Sequence, residues 1–573
     1  MDISFQANAL KLITRFLDTE NPTKGVFPFV PKKPDFNPSD KPSPLPARPA
    51  ALSGVSPAHL AEFLKELSDN ERLDMQSVLI VKGGEVVCRA EWGDYSLNMR
   101  KMTHSECKSV LSLVIGILIG DGKLSLDSKV SRLLYSRLGP LLRLSAGNMT
   151  VKHLLTMSTG AVFNEIGAVT EEDWLKAFFE SARKFPLGRS FDYNSMNSYV
   201  LSAIVREVSG QTLSEFTNER LFKPLGINGC YWEKSPEDIE CGGFGLYIFP
   251  EDMARLGLLV LNGGKWEGRQ IVPAEYLREA TSKKLSPTGN GDFDYGYHIW
   301  TGRGTESILF NGMFGQNMLI YPENEIIIVA NAANGETFQQ GPFYSVCNRY
   351  FGSSLPKCKN PISESAYLAR TLRGLKNYKP HLLLKYPKEL SSLNGKRYIL
   401  NGGKSSPAGL MPFILGGIRN YYTDGIKELS FSVKNRRFYI HFVENGRNYR
   451  FPVGFYSTER SVYDCLGEKY HIAVRGSVLR DGTGNTVLNF RFSFLEASNV
   501  RFLTVILLPH GKISVTFTEH PDDEFMREAL LNFINQLPIK QISERLCDIV
   551  ESERVKKISD SVFSPTLKGR SVN

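Results

Sequence analysis

A serine and a lysine three positions apart open a long apolar run, in His104-Ser105-Glu106-Cys107-Lys108-Ser109-Val110. If a helix begins near Ser105, both side chains lie on one face, at the end where the backbone dipole favours developing negative charge. A serine hydroxyl is a poor nucleophile until a neighbouring base takes its proton. A lysine in a largely buried site can be neutral enough to do so. The chemistry on offer is therefore acyl transfer. Spacing alone does not choose the site, because Ser181/Lys184 and Ser354/Lys357 repeat it, the latter with Pro356 inside the turn. Other catalytic signatures are missing from the sequence. There is no His-Glu-x-x-His pair and no Gly-x-Ser-x-Gly elbow, and Gly403-Lys404-Ser405 has Tyr398 where a phosphate loop needs glycine. The eight cysteines are scattered without a Cys-x-x-Cys pair, which excludes a small disulfide scaffold and argues against structural zinc.

The elements around Ser105 read as mixed α and β. Gln76–Ala90 alternates like a hairpin turning at Gly83-Gly84. Ser105–Gly120 reads as a buried helix, and Asn197–Gly210 and Pro250–Leu261 as further helices. Gly304–Phe310 and Met318–Ala330 return to strand composition, so an α+β domain whose sheet joins distant segments is expected. From about residue 390 short aromatic and β-branched runs take over (Arg437–Val443, Glu468–Val478, Val487–Leu495, Phe502–Leu508, Lys512–Thr518), with Asn-Gly at 445–446 and Asp-Gly at 481–482. These predict a small antiparallel barrel, with Phe490, Phe492, Phe494 and Phe517 filling its interior. Asp522–Leu537 reads as a closing helix.

The expected organisation is an amphipathic helix at 1–24, a proline-rich linker at 25–56, a catalytic domain at 57–360, and a linker at 361–384. A barrel at 385–540 and a tail at 541–573 follow. With 42% hydrophobic and 23% charged residues among 573, wholesale disorder is excluded. A net charge of +9 is too thinly spread over so long a chain to argue for a nucleic-acid or membrane partner. The longest apolar stretch, Val110–Gly120, is about half a bilayer span. The N-terminus lacks signal-peptide order, so a soluble cytoplasmic protein is expected.

The stretch 105–130 resembles the serine β-lactamase and penicillin-binding-protein superfamily, in its class C and esterase-like branch. The resemblance continues through 150–160, 185–216, 221–227, 242–266 and 310–324, and so spans about residues 60–350 in order. It implies a β-lactamase/transpeptidase-like domain, and its pairing with a barrel implies a lipocalin-like partner domain. Three motifs carry over. Ser105-x-x-Lys108 matches the nucleophile element. Tyr193-Asn194-Ser195 matches the Tyr-x-Ser form known in family VIII carboxylesterases and aminohexanoate-dimer hydrolases. Phe310-Asn311-Gly312 stands where β-lactamases have Lys-Thr-Gly, as a substrate-binding element. The implied oxyanion hole is the backbone N–H groups of Ser105 and Met313.

What the resemblance implies is a cofactor-free hydrolase acting on a small ester or amide. Lys108 and Tyr193, hydrogen-bonded to each other and to Ser105, would form its base, with Ser195 as a proton shuttle. Phe310 cannot anchor a substrate carboxylate as a lysine would, which favours esters over penicillins. A peptidase or amidase for D-amino-acid substrates and a catalytically silent binding module are the alternatives. His104, Cys107, His153 and Asn197 read as structural. Neither metal nor oligomeric state is indicated.

Overall fold

The computed structural model describes residues 29–37, 39–288, 291–335, 341–376, 386–401, 408–421, 423–521 and 564–572. It falls into two compact units. The first holds Pro28–Lys32 and Phe36–Leu375; the second takes Lys33–Asp35 and Lys376–Asn573. The expected helices at 1–24 and 522–537 lie outside the described residues.

The first unit is built on an antiparallel sheet of seven strands. Met75–Lys82 (β1) and Glu85–Glu91 (β2) form the hairpin, turning at Gly83 and Gly84 with φ of +57° and +86°. Phe293–Tyr295 (β3), Trp300–Gly302 (β4), Ile308–Gly312 (β5), Gln316–Tyr321 (β6) and Ile326–Ala332 (β7) complete it, in the order β2-β1-β7-β6-β5-β4-β3. The β1–β7 pairing, from Lys82 opposite Ile326 to Met75 opposite Ala332, joins segments some 250 residues apart, as the strand-like runs at both ends of the domain predict.

Alternation assigns the two faces. Val78, Ile80, Leu309, Leu319 and Ile328 form a core with the helices Pro57–Asp69 (α1) and Pro342–Phe351. Cys107–Gly120 (α2), Met196–Ser209 (α3) and Pro250–Leu261 (α4) are the other long helices that bear on the site. The residues of α2 from Cys107 to Leu118 are all buried, as befits a helix that is mostly apolar and carries only Lys108, Ser109 and Ser112 as polar groups there.

Two expected linkers are corrected. The proline-rich run is a strap on the first unit. Arg48 donates to Val86 O (3.0 Å), Val86 to Pro46 O (2.7 Å), and Leu45 to the Glu251 carboxylate (2.5 Å). Arg100 pairs with Asp40 at 3.1 Å and stacks on Phe36 and Phe249. Proline removes N–H donors but leaves every carbonyl free to accept, so an extended segment can still be fastened. Residues 361–375, expected as linker, form a helix that packs on α1 within the same unit.

The second unit is one ten-stranded antiparallel sheet, a lipocalin-like all-β domain. Its strands are Arg397–Asn401 (β8), Ile426–Lys434 (β9), Arg437–Glu444 (β10), Arg447–Val453 (β11), Glu459–Cys465 (β12), Glu468–Arg480 (β13), Thr486–Phe494 (β14), Val500–Leu508 (β15), Lys512–His520 (β16) and Thr566–Val572 (β17). The order is β11-β10-β9-β8-β17-β16-β15-β14-β13-β12. Gly454, just past β11, donates to Val474 O (2.9 Å) and accepts from Gly476 N (3.0 Å), so the ends nearly close. Phe490, Phe492, Phe494 and Phe517 are all buried, and Phe492 meets Phe442 and Phe451. These rings pack on one another inside the sheet. The expected tail is corrected as well: β17 is inserted between β8 and β16.

Candidate active site

Ser105 sits in a single 3₁₀ turn, His104–Glu106, and α2 begins two residues later. The turn starts from a left-handed residue, His104 at φ +47°. Its imidazole is buried edge-on against Phe314 (5.1 Å), and burial, then the charge of Lys108, holds it down to about 4. It is a neutral wedge, as the sequence reading has it. Cys107 is likewise buried, its thiol pushed up to about 12 by burial.

Lys108 is 1% exposed, and its Nζ lies within the site. Nζ donates to Ser105 Oγ at 2.8 Å and to Gly243 O at 2.7 Å. It also lies over the Tyr193 ring, 4.9 Å from its centroid. The expectation from sequence is a hydrogen bond between Lys108 and Tyr193; the contact described is with the ring face. Tyr193 is held by aromatic neighbours, stacked on Trp300 at 6.0 Å and edge-on to Tyr295 at 6.3 Å.

The Tyr193-Asn194-Ser195 segment leads into α3. Asn194 uses its whole side chain as a staple, donating to Ala161 O and Phe163 O and accepting from Met196 N. Ser195 is buried, its N–H donating to the Glu165 carboxylate at 2.7 Å. Asn197 receives Thr159 Oγ1 at 2.6 Å and donates to Asn194 O, the helix-holding role read from sequence. His153 accepts the Thr150 N–H and caps a short helix.

Phe310, Asn311 and Gly312 end β5 beside the Ser105 turn. Phe310 is 0% exposed. Asn311 Nδ2 donates to Asn317 Oδ1 across the β5–β6 ladder at 2.7 Å. A Cβ at Gly312 would stand 2.2 Å from Thr103 O and 3.2 Å from Glu106 N. In this structure Phe310 fills volume, Asn311 ties two strands, and Gly312 permits close approach. That approach brings the Met313 backbone alongside the serine turn.

Two positioning groups escaped the sequence reading. Gly242 and Gly243 thread between α2 and α3. A Cβ at Gly242 would meet Ser198 O at 2.8 Å, and one at Gly243 would meet Ser195 Cβ and O, each at 2.9 Å. Their doublet was the available signal. His298, in the β3–β4 turn at φ +55°, is 1% exposed. Its carbonyl accepts Ser109 Oγ (2.6 Å) from α2, its Nε2 faces Ser198 Oγ (2.9 Å) on α3, and its Nδ1 faces Leu155 O (2.9 Å). Because a carbonyl only accepts, Nδ1 carries the proton and Nε2 accepts from Ser198. Burial, then Lys108, holds this imidazole down to about 3. Nothing in the pattern around His298 distinguishes it from a loop histidine.

Among the described residues, no group of three or more His, Cys, Asp and Glu could hold a metal ion. No helix there is long and apolar enough to cross a membrane.

The family model Beta-lactamase matches residues 60–341, which contain every residue of this site. This domain belongs to the serine β-lactamase and penicillin-binding-protein superfamily. An uncharacterized protein of Alkalihalophilus pseudofirmus is 24% identical over 325 residues, 49% of this chain and 90% of that protein. The 6-aminohexanoate-dimer hydrolase of Paenarthrobacter ureafaciens is 22% identical over 317 residues, 50% of this chain and 78% of its own. Among solved structures, a penicillin binding protein from Bacillus halodurans has a TM-score of 0.39 and 20% identity, covering 51% of this chain and 98% of that one. The octameric penicillin-binding protein homologue from Pyrococcus abyssi has a TM-score of 0.38 and 17% identity, covering 77% and 96%.

Proposed function

We propose that the chain is a serine hydrolase that cleaves a small ester or amide through an acyl-enzyme on Ser105. The observation that carries this is the 2.8 Å contact between Lys108 Nζ and Ser105 Oγ, at a lysine buried to 1%. As Ser105 Oγ bonds to the substrate carbonyl carbon, its proton passes to the Lys108–Tyr193 pair. The oxyanion that forms is stabilised by the N–H groups of Ser105 and Met313, each worth ~3–4 kcal/mol in comparable hydrolases. The carbonyl re-forms, the leaving alcohol or amine departs with the proton through Tyr193 and Ser195, and water then releases the acid and restores the serine.

Esters are the favoured substrates. Phe310 occupies the position of a carboxylate-binding lysine and is wholly buried, so it offers no anchor for the carboxylate of a penicillin. Fluorophosphonate labelling followed by peptide mass spectrometry tests the nucleophile: the adduct is expected on Ser105 and absent from Ser105→Ala. Turnover of short p-nitrophenyl esters should exceed that of penicillins and of D-amino-acid amides. Labelling that persists in Ser105→Ala, or a β-lactam hydrolysed as efficiently as the best ester, would overturn the corresponding half of the reading.

A further inference from the structure

The catalytic unit carries a surface that the acyl-transfer chemistry does not use. Between Asp127 and Glu165 the sequence has no acidic residue, while Lys129, Arg132, Arg137, Arg143 and Lys152 are all basic. The modest net charge of the chain thus conceals a strip of one sign. In its middle, the short helix Pro140–Ala146 turns Leu141 and Leu144 outward, 81% and 79% exposed and three residues apart on one face. Among the described large apolar side chains, only Ile362 is more exposed. Tyr135, 64% exposed, lies beside them, with the Arg143 guanidinium 3.9 Å from its ring centroid and Arg143 Nη1 donating to Tyr135 O at 3.1 Å.

The helix is fastened from behind, so the leucines are not exposed by fraying. Ala146 is buried, Ser145 Oγ donates to Phe179 O, and Arg183 donates to Ser145 O at 3.0 Å. Arg183 also donates to Thr159 O, and Thr159 holds Asn197 at the start of α3. Of the basic groups, Arg137 is matched by Glu207 at 2.8 Å; Arg132 projects into solvent, and Arg143 keeps its charge against the tyrosine ring.

Single exposed leucines are ordinary. A leucine pair with a tyrosine at its side, rimmed by arginine, in a segment without an acidic residue of its own and with Glu207 meeting it at Arg137, is the composition of a helix that lies in a lipid interface. We propose that this face docks the catalytic unit on an anionic bilayer. Leu141 and Leu144 enter the acyl boundary, Tyr135 sits at headgroup level, and Arg132, Arg143 and Lys129 meet the lipid phosphates. An acidic protein could match the charges, but it would leave two protruding leucines without an apolar layer to enter.

Sedimentation of the full chain with vesicles tests this. Binding is expected to vesicles of phosphatidylcholine with phosphatidylserine, to fall with added salt, and to be weak with phosphatidylcholine alone. L141D/L144D should weaken binding about tenfold or more, and Arg132→Gln should reduce its salt dependence. Fluorophosphonate labelling in solution should be unchanged in both variants, so failure of docking is separable from failure of the hydrolase reading. No binding by the natural chain would overturn the proposal, as would equal binding by L141D/L144D. So would a self-association of the natural chain, seen by light scattering without lipid, that the double substitution abolishes, since that result assigns the face to a second copy.

Discussion

Replacing Gly243 with alanine adds one methyl group at the wall behind the candidate catalytic lysine. The new Cβ would stand 2.9 Å from both Ser195 Cβ and Ser195 O, and 3.2 Å from Ser198 Cβ. Backbone occupies one of these positions, so no side-chain rotation relieves the contact and the 243 segment must retreat. Overpacking of this kind costs about 1–3 kcal/mol of stability. The same retreat carries away the Gly243 carbonyl, which now accepts from Lys108 at 2.7 Å. A hydrogen bond of this kind is worth about 0.5–1.5 kcal/mol, and misplacing a catalytic group by 1 Å can cost ~10²-fold in rate. We therefore expect kcat/KM on p-nitrophenyl butyrate to fall about 10–100-fold in Gly243→Ala, with a lower melting temperature and the fold retained by circular dichroism. Gly374→Ala is the control, since a methyl there meets nothing within 4 Å on an exposed helix end. Gly243→Ala with a rate within about twofold of the natural protein would refute the claim that this wall holds Lys108 in place.

Lys108→Ala and Tyr193→Phe should each lower turnover by ~10²–10⁴, the usual reach of general-base catalysis; steady-state rates on the same ester decide it. His104 and His298 bind protons less readily folded than unfolded, with values near 4 and 3 against 6.5. Their contribution is therefore complete above pH 6.5 and is lost as pH falls towards 4, at about 1.4 kcal/mol per pH unit for each. Urea melts between pH 7 and 5 should show this slope, and it should shrink in His298→Asn. Glu106 has the opposite sign: burial raises its carboxyl well above the ordinary value, so its contribution is fully present below about 4.5 and is lost as pH rises from there. Glu106→Gln should gain stability relative to the natural protein between pH 5 and 8. Deleting residues 566–573 should unfold the second unit, read as loss of its cooperative melting step, because β8 and β16 each lose a strand partner.

The parts of the site that lie close in sequence were legible there. Ser105 and Lys108 were legible from helical spacing together with the family resemblance of the stretch around them, which set them apart from Ser181/Lys184 and Ser354/Lys357, and the turn at Gly83-Gly84 from the positive φ that glycine supplies. Gly243 and His298 were not legible, because their roles come from what the fold brings against them: Ser195 and Lys108 for one, and Ser109, Ser198 and Leu155 for the other. The Phe310 position was found by register, yet its burial depends on the packing of the sheet. The proline-rich strap was read as linker because composition excludes helix but says nothing about carbonyls that can still accept. In β17, Leu567 is the one large apolar residue before Val572, so no hydrophobic alternation announced a strand.

The insertion of β17 between β8 and β16 also sets a clock on synthesis. Thr566 follows Asn401 by 165 positions, so at ~5–20 residues per second the ribosome needs about 8–33 s to make the strand that covers the β8 edge. Throughout that interval β8 offers an open row of backbone donors and acceptors, the form of edge that pairs with strangers. The first unit has a wait of its own, since β1 gains β7 only when Ile326 follows Lys82 by 244 positions, about 12–49 s at the same rate, but that wait is over by residue 332. In a cell the first unit can be folded while its neighbour still lacks β17, and ribosome stalling between Asn401 and Thr566 should leave a folded first unit joined to an open β8 edge, more prone to aggregation or degradation than the finished chain.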